Sequence, residues 1–113
     1  MITPLRGEIW YADLNPPRGH EQAGRRPVLV FSTNPFNECA ADVVVVLPLT
    51  SKQKGIGWHV FVEAGDSGLR TDSYIMCDAI RSIAKERLAR RVGEVSPVVM
   101  VEVGERLRIL LEL

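Results

Sequence analysis

Val43-Val44-Val45-Val46-Leu47-Pro48-Leu49 is the stretch of this chain that decides its fold. The run is continuously apolar, dominated by β-branched residues and too short for a buried helix, so it predicts a buried β-strand. A second run of the same kind, Pro27-Val28-Leu29-Val30-Phe31-Ser32, precedes it. Together the two runs predict the centre of a β-sheet.

Shorter β-prone segments on both sides extend this predicted sheet. They cover residues 8–14, 58–62, 73–83 and about 90–95, with a short helical turn at 85–88 before the last. Strands of this length and spacing predict a small antiparallel barrel or curled sheet. Beyond them, Ser96 is a good helix N-cap and Pro97 suits the first helical position. Apolar residues then recur at helical spacing at Val99, Val103, Leu107, Leu110 and Leu111, which predicts a C-terminal amphipathic helix.

Composition indicates one ordinary globular domain over residues 1–113. The chain is 46% hydrophobic and 25% charged, and its 14 Lys and Arg balance 14 Asp and Glu. This excludes a strongly basic nucleic-acid-binding domain, so any RNA contact has to come from a local basic patch. Residues 1–6 lack the apolar core of a signal peptide, and no stretch approaches the roughly 20 apolar residues of a membrane span, so we expect a cytoplasmic protein.

The two cysteines, Cys39 and Cys77, lie far apart and show neither CxxC nor Cys/His spacing. That pattern indicates no disulfide framework and no zinc site. Both are therefore predicted to be reduced, buried thiols. We expect no metal and no cofactor.

The segment between the first two predicted strands, residues 15–26, is the unusual feature of the chain. A loop of about a dozen residues is longer than hairpin loops usually are, and loops of that length are often functional. It concentrates acids, bases and cations at Arg18, His20, Glu21, Gln22, Arg25 and Arg26. On composition alone, a solvated polar loop and a chemical site are equally good interpretations.

Several motifs, taken in order, resemble the MazF/PemK family of type II toxins over nearly the whole chain. They are Gly7-Glu8-Ile9-Trp10, Gly19-His20-Glu21-Gln22, Arg26-Pro27-Val28-Leu29-Val30 and Pro48-Leu49-Thr50-Ser51, continued by Gly68-Leu69-Arg70, Arg87-Leu88 and Gly93. The resemblance implies a mainly β (α+β) fold, an SH3-like small antiparallel barrel of the MazF/PemK/CcdB type with a C-terminal helix. It also implies a homodimer that cleaves single-stranded mRNA at short sequences without metal. The implied partner is a MazE/PemI-like antitoxin, through which alone operator DNA would be contacted, and no membrane is involved.

The same resemblance implies which residues are catalytic. Arg26 and Thr50 match the family's catalytic pair, and Glu21 and His20 match its first-loop glutamate and histidine. Asp78 matches the aspartate of an Arg-Cys-Asp motif in the PemK/Kid branch, although this chain has Met76 where that branch has arginine. The expected RNA contacts are Arg18, Gln22, Arg25, Lys52 and Lys54, with Arg70 and Arg81 as weaker candidates.

These residue types suit RNA cleavage by attack of the 2′-hydroxyl, which leaves a 2′,3′-cyclic phosphate and a 5′-hydroxyl. The reaction needs a base, an acid for the leaving 5′-oxygen, and cationic donors on the phosphorane. Glu21 or His20 can be the base, and the fork of Arg26 can bind two phosphate oxygens. Thr50 adds a hydroxyl donor. The sequence leaves open whether Arg26 or His20 is the acid, because a guanidinium releases its proton with difficulty.

Two other functions are compatible with such a barrel. One rival is a non-enzymatic toxin on the same barrel, like CcdB, which binds DNA gyrase; another is an inactive barrel that only binds a partner. The concentration of acid, base and cation at residues 20–26 favours the nuclease. Trp10, Tyr11 and Trp58 can stack bases, although strand aromatics are more often core residues. His59 lies in an alternating strand segment and is predicted to be structural.

Overall fold

A computed structural model describes residues 3–14, 24–55 and 57–113 of the chain. In chain order the strands are β1 (Glu8–Asp13), β2 (Arg25–Val30), β3 (Val43–Thr50), β4 (His59–Val62), β5 (Ser73–Met76), β6 (Arg81–Ala84) and β7 (Leu88–Glu94). The helices are α1 (Asn34–Glu38), between β2 and β3, and α2 (Pro97–Leu111), at the end. Short 3₁₀ turns follow β5 at Cys77–Ala79 and precede β7 at Lys85–Arg87.

Strand β3, which carries the tetravaline run, is the centre of the sheet. One edge of β3 pairs with β2, and the other pairs with β6 along its first half and with β5 at its end. In the described chain the seven strands form one antiparallel sheet, ordered β4-β5-β3-β2-β1-β7 with β6 beside β3. This confirms the predicted mainly β fold with a C-terminal helix. Among the described residues the sheet path is open, because its two end strands, β4 and β7, do not pair with each other. This arrangement is compatible with a small barrel.

The two ends of this sheet meet at a pair of glycines instead of a strand ladder. Gly68 lies in the connection between β4 and β5, and Gly93 lies in β7. A Cβ on Gly93 would lie 1.9 Å from the carbonyl oxygen of Ser67, and one on Gly68 would lie 2.2 Å from that of Val92. Gly68 also has a φ of +86°, which favours glycine. Only residues without a side chain allow this approach, which holds the β4–β5 connection against β7.

Hydrophobic clusters lie on the two faces of the sheet, because successive side chains of a strand point to opposite sides. Ile9 belongs to the cluster that includes α2, and its neighbour Trp10 belongs to the other. Helix α2 buries Val103 and Leu107 in the first cluster. Its predicted start is confirmed, because the Ser96 side chain accepts a hydrogen bond from the Val99 backbone N–H at 3.3 Å.

Three details of the sequence prediction are wrong. The segment 73–83 is two strands. Ile75 pairs with Leu49 of β3 and Arg81 pairs with Val46, so six residues of the segment span only three residues of β3, and the extra residues form the 3₁₀ turn. Leu111 is 50% exposed, so the packed face of α2 ends before it. Cys77 is buried as predicted, whereas Cys39 is exposed.

Two further elements were misplaced or missed. Strand β2 begins at Arg25, two residues earlier than predicted, because the ladder with β1 continues to the pair Asp13 and Arg25. Backbone pairing of this kind does not depend on apolar side chains. The short helix α1 was not predicted, although Thr33 before it and a proline in its first turn are recognisable start signals.

Candidate functional site

A cleft of about 750 Å³ opens at the end of β3, between β2, β7 and the β4–β5 connection. Its lining comes from all of these elements. It includes Tyr11, Arg26, Leu49, Thr50, Ser51, Lys52, Lys54, Arg70, Thr71, Ser73, Arg90 and Val92. Gly68 and Val92, whose backbones meet at the Gly68–Gly93 contact, line the wall, so the approach that brings the sheet ends together also shapes the cleft.

The charged residues that line the cleft are cations. They are Arg26, Lys52, Lys54, Arg70 and Arg90, and no Asp or Glu is among the described lining residues. The chain as a whole has a formal net charge of zero, so the described cleft lining is more basic than the chain average. The cleft is therefore a local basic surface suited to a polyanion, as the composition required of any RNA site.

Arg26 and Thr50 lie at the end of the β2–β3 ladder. The last pair of that ladder is Val28 with Pro48, and Arg26 and Thr50 each lie two residues beyond it on their own strand. The half-buried Arg26 donates from Nη1 to the carbonyl oxygen of Leu49 at 3.3 Å. This bond fixes the guanidinium beside the residue that precedes Thr50. The structure thus brings the sequence-predicted pair together on one wall of the cleft.

The hydroxyl of Thr50 organises the loop that follows β3. Its Oγ1 accepts a hydrogen bond from the backbone N–H of Lys52 at 3.2 Å, which forms a short turn. Because the hydroxyl acts as acceptor in this bond, its proton can donate to a ligand in the cleft. Thr50 therefore has a structural role in the turn and the chemistry needed for a site residue.

Tyr11, a base-stacking candidate from the sequence, and Arg90, which the sequence did not single out, form a second part of the cleft. They are direct partners across β1 and β7, and Arg90 Cζ lies 5.0 Å from the centroid of the Tyr11 ring. Trp10 is buried on the opposite face, and Trp58 does not line the cleft. Of the three aromatic candidates for base stacking, only Tyr11 lies in the described cleft lining. The alternation along β7 is the signal that could have separated Arg90 from Arg91.

Four sequence-predicted site residues, Arg18, His20, Glu21 and Gln22, lie outside the described residues. The described ends of their segment, Leu14 and Gly24, are joined by a backbone hydrogen bond of 3.0 Å from the Leu14 N–H to the Gly24 carbonyl. Gly24 is two residues from Arg26. Arg25 is exposed at the start of β2, opposite Asp13, and is not among the cleft-lining residues.

Asp78 and Arg81 are not brought to the cleft. Asp78 lies in the 3₁₀ turn after β5, and its Oδ1 is 3.3 Å from Nε2 of His59, whose side chain is only 5% exposed. His59 Nδ1 is buried without a hydrogen-bond partner among the described residues. This contact agrees with a structural role for His59. Arg81 lies on β6 opposite Val46, on the half of β3 away from the cleft.

Glu8 is a carboxylate with a perturbed pKa, and it lies outside the cleft lining. Burial alone would raise the pKa of Glu8, but hydrogen bonds from the Leu5 N–H, the Trp10 indole and the Arg91 guanidinium outweigh it. The pKa of Glu8 is consequently lowered. Its Oε2 is 2.7 Å from Nε of Arg91, which shows that Arg91 contacts Glu8 while Arg90 contacts Tyr11.

No group of three or more His, Cys, Asp or Glu is arranged to hold a metal ion in the part of the chain that the structure covers. None of the described helices is long and apolar enough to span a membrane.

Residues 5–111 match the family described as PemK-like, MazF-like toxin of type II toxin-antitoxin system. The chain is 39% identical to endoribonuclease MazF9 of Mycobacterium tuberculosis, with 96% of each chain covered, and 36% identical to endoribonuclease EndoA of Bacillus subtilis, with 96% and 94% covered.

Solved structures agree with the sequence matches. MazF from Deinococcus radiodurans superposes with a TM-score of 0.88 at 30% identity, with both chains covered in full. A mycobacterial endoribonuclease in complex with its cognate antitoxin superposes with a TM-score of 0.78 at 29% identity, with 100% of this chain and 97% of that chain covered.

Proposed function

Because the chain belongs to the PemK-like, MazF-like toxins of type II toxin-antitoxin systems, we propose that it is a sequence-specific endoribonuclease that cleaves single-stranded mRNA without metal. Cleavage of mRNA inhibits translation and arrests growth. The relatives from Mycobacterium tuberculosis and Bacillus subtilis compared above are both endoribonucleases, so a CcdB-like toxin that binds DNA gyrase is not favoured.

The observation that carries this proposal is the position of Arg26 and Thr50 in the cationic cleft. A phosphodiester is a tetrahedral anion, and its phosphorane transition state carries more negative charge on the same oxygens. The planar fork of Arg26 suits two of these oxygens, and the Thr50 hydroxyl suits a third. Lys52, Lys54 and Arg70 extend the positive surface along which the rest of the RNA backbone binds.

The chemical step is attack of the 2′-hydroxyl on the neighbouring phosphorus. A base removes the 2′-hydroxyl proton, the bond from phosphorus to the 5′-oxygen breaks, and an acid gives that oxygen a proton. The products are a 2′,3′-cyclic phosphate and a 5′-hydroxyl. We assign the proton transfers to His20 and Glu21 on the strength of the family motif, and the stabilisation of phosphate charge to Arg26 and Thr50. Asp78 is left out of this group because its carboxylate is beside His59, away from the described cleft lining.

We further propose that the protein acts as a homodimer in the cytoplasm and is held inactive by a cognate MazE/PemI-like antitoxin. Support for the partner comes from the relative solved with its cognate antitoxin. An acidic antitoxin segment is complementary to the cations of the cleft and would compete there with RNA. Contact with operator DNA would then come only through the antitoxin.

The decisive experiment is cleavage-site mapping on a long single-stranded RNA. We expect cuts at one short sequence, with 2′,3′-cyclic phosphate and 5′-hydroxyl ends, at the same rate in the presence of a chelator. Deoxyribose at the nucleotide that supplies the 2′-hydroxyl should abolish the cut. Cleavage of that deoxy substrate would overturn the mechanism, and chelator-sensitive cleavage restored by a divalent ion would overturn metal independence.

A further inference from the structure

Arg90 lies over the ring of the cleft aromatic Tyr11. The two residues are partners in the β1–β7 ladder, with Arg90 Cζ 5.0 Å from the ring centroid. Arg91, the next residue, forms a salt bridge with Glu8 and is absent from the described cleft lining. Tyr11 is half-buried and Arg90 is exposed, so this part of the cleft presents a planar cation backed by an aromatic ring.

Such a planar, cationic and aromatic surface suits the binding of unpaired nucleobases. Bases splayed out of single-stranded RNA stack on aromatic rings and on guanidinium planes. The attraction between Arg90 and Tyr11 restricts both side chains before RNA arrives, so less side-chain entropy is lost on binding. Lysines and hydroxyls elsewhere in the cleft offer contacts to phosphate but no planar surface of this kind.

The position of Tyr11 relates this surface to the site of cleavage. Tyr11 is directly opposite Pro27 in the β1–β2 ladder, and Pro27 adjoins Arg26. Neighbouring strands lie about 5 Å apart. A nucleotide whose phosphate contacts Arg26 therefore has its own base, or that of the next nucleotide, within reach of the Tyr11–Arg90 pair.

We propose that Tyr11 and Arg90 form a base-binding subsite that holds a nucleobase adjacent to the scissile phosphate of single-stranded RNA. The proposal rests on the proposed function, since it requires RNA whose phosphate is bound at Arg26. Because every base has a planar face, such stacking tolerates all four bases. The subsite thus aligns the strand for attack, and the choice of sequence falls to other contacts.

The test combines a change in the RNA with a change in the protein. An RNA that contains the mapped site is prepared with one abasic nucleotide at each position next to the scissile bond, and kcat/KM is measured for each. We expect loss of one of these bases to slow the wild-type enzyme about tenfold or more. In Tyr11→Leu and in Arg90→Gln, loss of the same base should matter much less, because its stacking partner is already removed.

Matched variants separate stacking from charge and from folding. Tyr11→Phe keeps the ring and should keep the wild-type sensitivity to the abasic nucleotide. Arg91→Gln removes a positive charge from the neighbouring position of β7, and this variant should also keep the wild-type sensitivity to the abasic nucleotide. Arg90 is exposed, so Arg90→Gln answers the question even where Tyr11→Leu fails to fold.

The possible results distinguish the two levels of the proposal. If no abasic position slows the wild-type enzyme, or if the effect is undiminished in the folded variants, the subsite is wrong while the nuclease stands. If the wild-type protein cleaves no RNA at all, both the proposed function and the proposed subsite are wrong.

Discussion

Arg26 donates a hydrogen bond from its Nη1 to the carbonyl oxygen of Leu49 at 3.3 Å. This bond crosses from β2 to β3 beyond the last ladder pair, Val28 with Pro48: Arg26 is two residues past Val28, and Leu49 is one residue past Pro48. It ties the guanidinium to the backbone that carries Thr50, so the strand pairing itself sets the relative position of the two proposed phosphate ligands. Preorganisation of this kind is what makes a charged donor effective in a transition state.

Arg26→Ala should lower kcat for RNA cleavage by about a hundredfold or more, as expected for a lost oxyanion donor worth roughly 3 kcal/mol. Arg26→Lys should recover only part of the rate, because an ammonium keeps the charge but loses the planar fork. The control is Arg108→Ala, which removes an exposed arginine from α2. A folded Arg26→Ala enzyme of near-normal rate would remove Arg26 from the site.

Thr50→Val keeps the shape of the side chain and removes its hydroxyl. The loss of one hydrogen bond to a charged phosphate, worth about 1.5–3 kcal/mol, should lower kcat about tenfold to a hundredfold. Thr50→Ser keeps the hydroxyl and should restore most of the rate. Equal activity of the valine and serine variants would show that the hydroxyl serves only the turn to Lys52.

Gly93→Ala should reduce the free energy of unfolding by at least about 2 kcal/mol, since the new Cβ would lie 1.9 Å from the Ser67 carbonyl oxygen. Gly57→Ala is the matched control, because a Cβ there meets nothing within 4 Å. Urea unfolding of the two variants measures the difference. Equal stability would contradict the close backbone contact at Gly68 and Gly93.

Glu8→Gln should destabilise the protein in a pH-dependent way. Burial alone would raise the pKa of Glu8 above its usual 4.5, but hydrogen bonds from Leu5, Trp10 and Arg91 lower it. A carboxylate with a lowered pKa stabilises the fold above its unfolded pKa, and this contribution is lost as pH falls through the folded pKa. The stability gap between wild type and Glu8→Gln should therefore be full at neutral pH and shrink in acid.

The measurement for Glu8 is urea unfolding at a series of pH values. Glu105→Gln, an exposed change on α2, controls for the removal of one negative charge. A gap between wild type and Glu8→Gln that widened towards low pH would have the wrong sign for this carboxylate.

Cys77 should be unreactive in the folded protein. Burial raises its pKa to about 11, so very little thiolate is present near neutral pH. A thiol reagent should modify the exposed Cys39 quickly and Cys77 only after unfolding. Cys39→Ser should abolish the fast reaction; rapid labelling that survives this change would show that Cys77 is accessible.

The sequence by itself determined most of the strands, the C-terminal helix and the choice of Arg26 and Thr50 as a candidate pair. Strand and helix signals are local: the β-branched run at 43–49 and the Ser96-Pro97 cap depend on neighbours along the chain. The pair came from motifs whose order resembles a family, and the structure places both residues at one end of the β2–β3 ladder.

Only the tertiary structure decided which side chains share the cleft. Arg90 comes from β7 and Arg70 from the β4–β5 connection, and they line one cleft because the Gly68–Gly93 contact brings these segments together. Asp78 lies outside the described cleft lining, because a 3₁₀ turn interrupts what the sequence predicts as one strand and leaves the Asp78 carboxylate beside His59. Such contacts join residues far apart in the chain, and periodicity contains no information about which distant backbones meet.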